Sequence, residues 1–191
     1  CDVRVIDKLG RAAVDSNEVF IDGLEVPEEN VIGEVGRGFK YLLDGLNPER
    51  VVVAFEAIGI GHAALELAVQ YAKQRVVFDR PIGQNQAVAH PLAECWMRLQ
   101  GAEHVAMHAA ELFDAHQPCA AQANTAKFLA AESGFAACDQ AMQAHGGYGY
   151  AKEYHIERLW REVRLLRLAP VSQEMVCNFI SHAVLGLPKS Y

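Results

Sequence analysis

Gln143-Ala144-His145-Gly146-Gly147-Tyr148-Gly149-Tyr150 interrupts the chain between two long helical patterns. Three glycines in four residues open positive-φ backbone and let another group approach the main chain closely, which neither flank permits. Two readings stand for the octet. It is a helix C-cap and turn with packed tyrosines, or it is a wall of two aromatic rings and a histidine for a flat ligand. In both readings one helix ends here and another begins, and that sets the architecture.

Working outward, Phe128, Ala131, Phe135, Cys138 and Met142 recur at steps of three and four residues before the octet. Upstream, Leu92, Trp96, Leu99, Ala102, Ala106, Ala109 and Phe113 do the same, as do Val53, Ala57, Ile60, Ala64, Leu67 and Tyr71. Downstream, Ile156, Leu159, Val163 and Leu166 continue the period to Pro170. Val176, Phe179 and Ile180 then mark a last helix ending near Gly186 and Pro188. Long helices joined by short connections, with Pro118-Cys119 as one turn, predict a mainly α chain folded as an up-down four-helix bundle. Alanine at many inner positions predicts close helix approach.

The first residues differ. Val3 to Ile6, then Val19, Ile21, Leu24 and Val26 around Asp22-Gly23, read as short strands. A two-stranded ribbon is marginal in water, so these strands are expected to belong to a larger sheet, as the tail of a β domain. The chain opens on Cys1 within strand-like sequence, which suggests the C-terminal part of something longer. The one boundary drawn lies near Asn30: residues 1–30 as β-domain tail, 31–191 as helical domain.

With 191 residues, 51% of them hydrophobic, the chain can bury a sizeable core without staples. A formal charge of −7 with dispersed Lys and Arg gives no basic field, which argues against nucleic acid or an anionic membrane as partner. The five cysteines are odd in number and form no CxxC pair, so reduced thiols are expected. Without a long uninterrupted apolar run or a signal-peptide layout, the expected location is the cytoplasm, with a mitochondrial matrix as the alternative.

Gly59-Ile60-Gly61-His62-Ala63-Ala64 satisfies a dinucleotide-binding pattern, but helical periodicity runs straight through it, so close helix packing is the better reading. His104 and His108 lie one turn apart with no third ligand nearby, and no metal is expected. Arg75-Val76-Val77-Phe78-Asp79-Arg80-Pro81-Ile82, followed by Gln84-Asn85-Gln86, is either a solvated loop or a clamp for pyrophosphate and nucleobase. Glu49, after Asn47-Pro48 and before Arg50, is either ordinary helix-start chemistry or a general base.

Taken in order, these segments resemble the acyl-CoA dehydrogenase family of flavoproteins. Arg75, Phe78, Pro81 and Ile82, with Gln86 eleven residues after the arginine, are similar to one family motif, and Gln143 to Tyr150 to its Q-x-x-G-G-x-G-aromatic motif. Ile156-Glu157-Arg158 through Arg161-Glu162-Val163-Arg164 is similar to the arginine-rich helix that follows, and the segment from Glu18 to Phe39 to the strand leading into the C-terminal domain. The resemblance implies the family's C-terminal four-helix domain. It implies that Arg75, Phe78, Gln86, Gln143, Gly146 and Gly147 hold the adenine and pyrophosphate end of FAD, largely that of a neighbouring subunit. Ser172 and Glu174 would complete the cofactor site, and Asn47 and Arg50 would contact the CoA part of an acyl-CoA substrate. A homodimer or homotetramer is implied, with an electron-transferring flavoprotein as the usual electron acceptor.

The sequence also departs from the family pattern. Where most members place the basic glutamate, Ala169-Pro170-Val171-Ser172 carries Pro170. A minority carry the base on the first helix of this domain, and Gly45-Leu46-Asn47-Pro48-Glu49-Arg50 is similar to that version, which implies Glu49 as catalytic base. Pro170 has no N–H, and in the family the N–H at this position is one donor to the thioester oxygen. Losing one such donor costs about 3 kcal/mol of transition-state stabilisation. Val171 stands where a glycine is usual. Three outcomes stay open: a shifted main-chain register, an unusual substrate or a weak catalyst. The rival functions are a non-catalytic subunit that binds FAD or acyl-CoA, and a different flavin reaction on the same scaffold.

Overall fold

Each helical period forms a helix in the computed structural model, which describes residues 1–189. These are α1 (Gly38–Gln74), α2 (Gln86–Asp114), α3 (Ala120–His145), α4 (Ile156–Leu165) and α5 (Gln173–Phe179), the last continuing as a π-helical turn over Ile180–Val184. The chain forms two compact units, Cys1–Leu46 and Asn47–Tyr191. In the second, α3 is the central element, packed on α2, α4 and α5 and against α1 through Gly134.

Small residues make that centre possible. Ala123, Ala126, Ala130, Ala131, Ala137 and Ala141 are all essentially sealed from solvent. A Cβ on Gly134 would lie 2.5 Å from the Ala57 carbonyl oxygen, and one on Gly61 would lie 3.0 Å from Gly134 Cα and 2.8 Å from Leu99 Cδ2. The dinucleotide-like glycines therefore include one half of a helix crossing, as the packing reading expects.

The helices are where the sequence puts them, but the faces are turned. On α1 the buried face runs through Val51, Ala54, Ala57, Ile58, Gly61, Ala64, Leu65, Ala68 and Ala72. Of the expected stripe, Ala57 and Ala64 are buried, Val53, Ile60 and Tyr71 are half-buried, and Leu67 is exposed. On α2, Leu92, Leu99, Ala102, Ala106 and Ala109 are buried together with Cys95, whereas Trp96 and Phe113 are exposed. Where helices approach this closely, the axis of contact belongs to alanine and glycine, and larger side chains flank it. By length and apolarity alone α1 could span a bilayer, but Val51, Ala54, Ala57, Ile58, Ala64, Leu65, Ala68 and Ala72 belong to the bundle core.

Helix α1 begins at Gly38, so Pro48 lies inside it rather than at its start. Proline has no N–H to give the carbonyl of residue 44, so this turn lacks one helical hydrogen bond. Helix-start chemistry therefore does not account for Asn47-Pro48-Glu49.

In the first unit, β1 (Asp2–Val5) and β2 (Asn17–Phe20) pair antiparallel, Asp2 opposite Phe20 and Val5 opposite Asn17. All eight strand residues are exposed. The second strand stops at Phe20, so Ile21, Leu24 and Val26 lie beyond it, where Gly23 takes φ +60°.

Candidate functional site

The octet closes α3 and walls a cavity of about 600 Å³. Gly146 follows the last helical residue with φ +59° and ψ −137°, a conformation open to glycine, and its N–H donates to the Gln143 carbonyl. The chain then tightens into a 3₁₀ turn over Gly146–Tyr150. A Cβ on Gly149 would meet the Met142 carbonyl oxygen at 2.5 Å, whereas one on Gly147 would meet nothing within 4 Å. Gly146 supplies the bend, Gly149 supplies the close return onto α3, and Gly147 leaves bare main chain beside the cavity. The helix-end reading of the octet is what the structure shows; of the expected wall, His145 and Tyr148 line the cavity, whereas Tyr150 is exposed and does not.

Beneath it lies an aromatic cluster. His145 is buried, its Nδ1–H donates to the Ala141 carbonyl at 2.8 Å, and its ring stacks on Tyr71 with centroids 4.3 Å apart. Tyr154 stands edge-on to Tyr71 at 6.1 Å and lies 5.1 Å from Tyr148. The Arg75 guanidinium sits 5.9 Å over the Tyr148 ring. The imidazole is thereby packed into the aromatic cluster, while Tyr148 and Arg75 line the cavity. Tyr71, read in the sequence as a core residue, and Tyr154, which carried no motif, both belong to this support.

Arg75, Gln143, Gly146 and Gly147 all line the cavity, together with Tyr71 and Tyr148. Phe78 and Gln86 do not. Strands β3 (Val76–Val77) and β4 (Arg80–Pro81) form a hairpin, and Phe78 and Asp79 at its tip have φ +53° and +62°. Positive φ at both central residues is the type I′ pattern, which glycine and asparagine usually occupy. The Phe78 side chain is 92% exposed, a ring held out by a strained turn. Arg80 Nη2 donates to Asn85 Oδ1 at 2.6 Å, and Asn85 Nδ2 donates to the Ile82 carbonyl at 3.0 Å. This fastens the hairpin to the start of α2, where Gln86 is exposed as the first helical residue.

Ser172 and Glu174 belong to a second locus, the turn between α4 and α5, where the Ala169–Pro170 bond is cis. Ser172 caps α5, its Oγ accepting from Met175 N–H at 3.4 Å. The Glu174 carboxyl is held below its usual range by its own backbone N–H and by the Ser172 hydroxyl, with Arg167 and Lys127 adding to the effect. Arg167 ties the turn to α3: Nη2 meets Glu132 Oε1 at 2.8 Å, Nε donates to Gln173 Oε1 at 3.3 Å, and the guanidinium lies 5.2 Å over Phe135.

The same turn receives a buried lysine. Lys127 of α3 is fully sealed from solvent, and its ammonium donates to the Val171 carbonyl. Burial, with Arg50 adding to it and Glu174 opposing, brings this ammonium down to about 8. Arg50 of α1 is also buried. Its Nη1 donates to Asn47 Oδ1 at 3.1 Å, its Nε has no hydrogen-bond partner among the described residues, and burial lowers its pKa. Glu49, next to it, is exposed. Lys127 carried no motif in the sequence. Its signal was a charge on the buried face of α3, four residues after Ala123 and three before Ala130.

Chemically, the first locus offers a cationic fork, an amide and side-chain-free main chain beside aromatic rings, a set that fits a phosphate-bearing ligand with a flat ring. The second offers a buried lysine on α3 and a buried arginine on α1, the arginine with the exposed Glu49 next to it. His104 and His108 are exposed on α2, and among the described residues no three His, Cys, Asp or Glu side chains converge as metal ligands do. All five cysteines are free, and burial pushes the Cys138 thiol up to about 12.

Against known proteins, residues 36–185 match the family model described as acyl-CoA dehydrogenase, C-terminal domain. The chain is 43% identical to the acyl-CoA dehydrogenase FadE12 of Mycobacterium tuberculosis over 176 residues, 91% of this chain and 45% of that protein. It is 36% identical to the caffeyl-CoA reductase-Etf complex subunit CarC of Acetobacterium woodii over 178 residues, 93% of this chain and 47% of that one. Among solved structures, butyryl-CoA dehydrogenase from Megasphaera elsdenii superposes with a TM-score of 0.92 at 32% identity, covering 95% of this chain and 48% of that one. The chain spans about half the length of the curated relatives it matches.

Proposed function

The chain belongs to the acyl-CoA dehydrogenase family, carrying its C-terminal helical domain, and from that premise we propose that the intact protein is an FAD-dependent oxidoreductase acting on an acyl-CoA thioester. The observation that carries the reading is the convergence of Arg75, Gln143, Gly146 and Gly147 on one cavity, because a guanidinium fork, an amide and bare main chain suit a pyrophosphate. Phe78 and Gln86 flank that cavity in sequence, and Ser172 and Glu174 lie in the α4–α5 turn. These eight residues would hold the adenine and pyrophosphate end of FAD, largely that of a neighbouring subunit in a homodimer or homotetramer.

Bound FAD supplies the hydride acceptor for the β carbon. The Glu49 carboxylate takes the proton from the α carbon, the electron pair of that C–H bond becomes the α,β double bond, and Asn47 and Arg50 orient the CoA portion. Residues 1–30 would be the tail of the β domain and 31–191 the helical domain. The relation to a protein named for an Etf complex supports an electron-transferring flavoprotein as the partner that reoxidises the flavin. The proposed location is the cytoplasm or a mitochondrial matrix.

The test is anaerobic flavin bleaching in the intact protein with a panel of acyl-CoAs, for the native sequence and for Glu49→Gln. Bleaching by one class of thioester that vanishes in the variant, while FAD and ligand remain bound, is the expected result. Pro170, which offers no N–H to the thioester, favours a second reading as a non-catalytic subunit that binds FAD or acyl-CoA. Acyl-CoA binding without bleaching in the native protein would select it, and rapid reoxidation by oxygen without any response to acyl-CoA would point to a different flavin reaction.

A further inference from the structure

A lysine with no exposed surface is expensive to keep, because an ammonium taken out of water needs acceptors or a counter-ion. Lys127 has one hydrogen bond among the described residues, to the Val171 carbonyl. Among the described residues, the charged groups acting on it are Arg50 from α1, which repels it, and Glu174 from α5, which attracts it. Packing does not require a lysine at this place. Alanines occupy the positions around it on α3, and an apolar side chain would fill the same volume without a desolvated charge. What the lysine adds is a fixed direction for one peptide group.

The Val171–Ser172 peptide is trans, so its carbonyl and its N–H point in opposite directions. With the carbonyl drawn to Lys127, the Ser172 N–H is turned away from it. Ser172 sits at the N-cap, ahead of the helical hydrogen bonds, and its N–H has no acceptor among the described residues. Two residues earlier stands Pro170, which has no N–H to offer.

We propose that Lys127 is a positioning residue: by holding the Val171 carbonyl it aims the Ser172 N–H as the main-chain donor to the substrate's thioester oxygen, in place of the donor Pro170 lacks. The proposal rests on the acyl-CoA reading of the site. Lys127 itself touches neither substrate nor cofactor, and Arg167 braces the same turn through Gln173.

The experiment uses the intact flavoprotein and the acyl-CoA that bleaches it best. First, amide hydrogen exchange at Ser172 is followed with and without a bound acyl-CoA. Pro170 has no amide, so only Val171 and Ser172 report from this stretch, and Ser172 is expected to slow on binding. Second, Lys127→Met and Lys127→Arg are compared with the native protein by kcat, KM and the infrared stretch of the bound ligand's ¹³C-labelled thioester carbonyl. Lys127→Met is expected to lower kcat about tenfold to a hundredfold with KM nearly unchanged, the size of effect a misaimed donor produces. The carbonyl stretch is expected to move to higher frequency, and Lys127→Arg, which keeps a cationic donor, to recover part of both effects.

A Ser172 amide indifferent to ligand, or a fall in kcat with the stretch unmoved, overturns the proposal; the first of these needs no variant and so survives a Lys127→Met protein that does not fold. Bleaching by acyl-CoA with Ser172 unaffected removes the Lys127 role alone, whereas the absence of any acyl-CoA response removes the functional reading and this proposal with it.

Discussion

Gly146 and Lys127 are two single residues on which much of the site depends, for opposite physical reasons. Gly146 is chosen for what it lacks. At φ +59° and ψ −137°, any Cβ is strained, so Gly146→Ala is expected to destabilise the protein by about 1–3 kcal/mol and to weaken flavin retention. Denaturant unfolding and the flavin-to-protein absorbance ratio check both. Lys127 is chosen for a charge held where charge is disfavoured. Its ammonium falls from the ordinary 10.5 to about 8, chiefly through burial. Between those values the unfolded chain binds a proton that the folded one releases, so this group makes stability rise with pH from about 8 upward. The difference in Tm between Lys127→Met and the native protein is therefore expected to shift in the native protein's favour from pH 7 to pH 10. A difference that stays constant would refute the assignment. The glycine was legible in the sequence because three glycines cluster there. The lysine was not, because one charge on an alanine-rich helix reads as solvated until the neighbouring helices are in place.

Among the elements, the helices were legible and their rotations were not. Periodicity located α1 to α4 well. It set the face of α1 by the larger apolar residues, whereas the structure gives the inner line to Ala54, Ile58, Gly61, Leu65 and Ala68. A pattern weighted by hydrophobic size is drawn toward residues that flank a close crossing. The crossing itself gives a paired test. Gly134→Ala would place a Cβ 2.5 Å from the Ala57 carbonyl oxygen, and the overpacking is expected to cost about 1–3 kcal/mol. Gly101→Ala, on the exposed face of α2 with open space around it, is expected to stabilise by about 0.4–1 kcal/mol. Both can be read from urea midpoints. If the two shift stability in the same direction, the glycine crossing is not the tight contact described.

At the scale of the molecule, the family was legible because its motifs occur in order along the chain. The convergence of four motif residues on one cavity was not, since Arg75 and Gln143 are far apart in sequence and meet only when α1 and α3 end side by side. The 191 residues alone, about half the length of the relatives, are expected to lose FAD on gel filtration, because the site would hold only one end of the cofactor. Stoichiometric flavin retained by this chain alone would contradict that. The way α3 is buried also bears on which changes the chain can accept. Helices lie against it on several sides, and most of its sealed positions hold alanine or glycine. At such a position a larger side chain clashes, while replacing alanine by glycine forfeits about 1 kcal/mol of helix propensity. Alanine there is close to both the largest and the smallest residue allowed. The helix that carries the octet should then be the least permissive stretch in a saturation-mutagenesis survey, and variants that alter what the protein binds should arise on the hairpin and the α4–α5 turn.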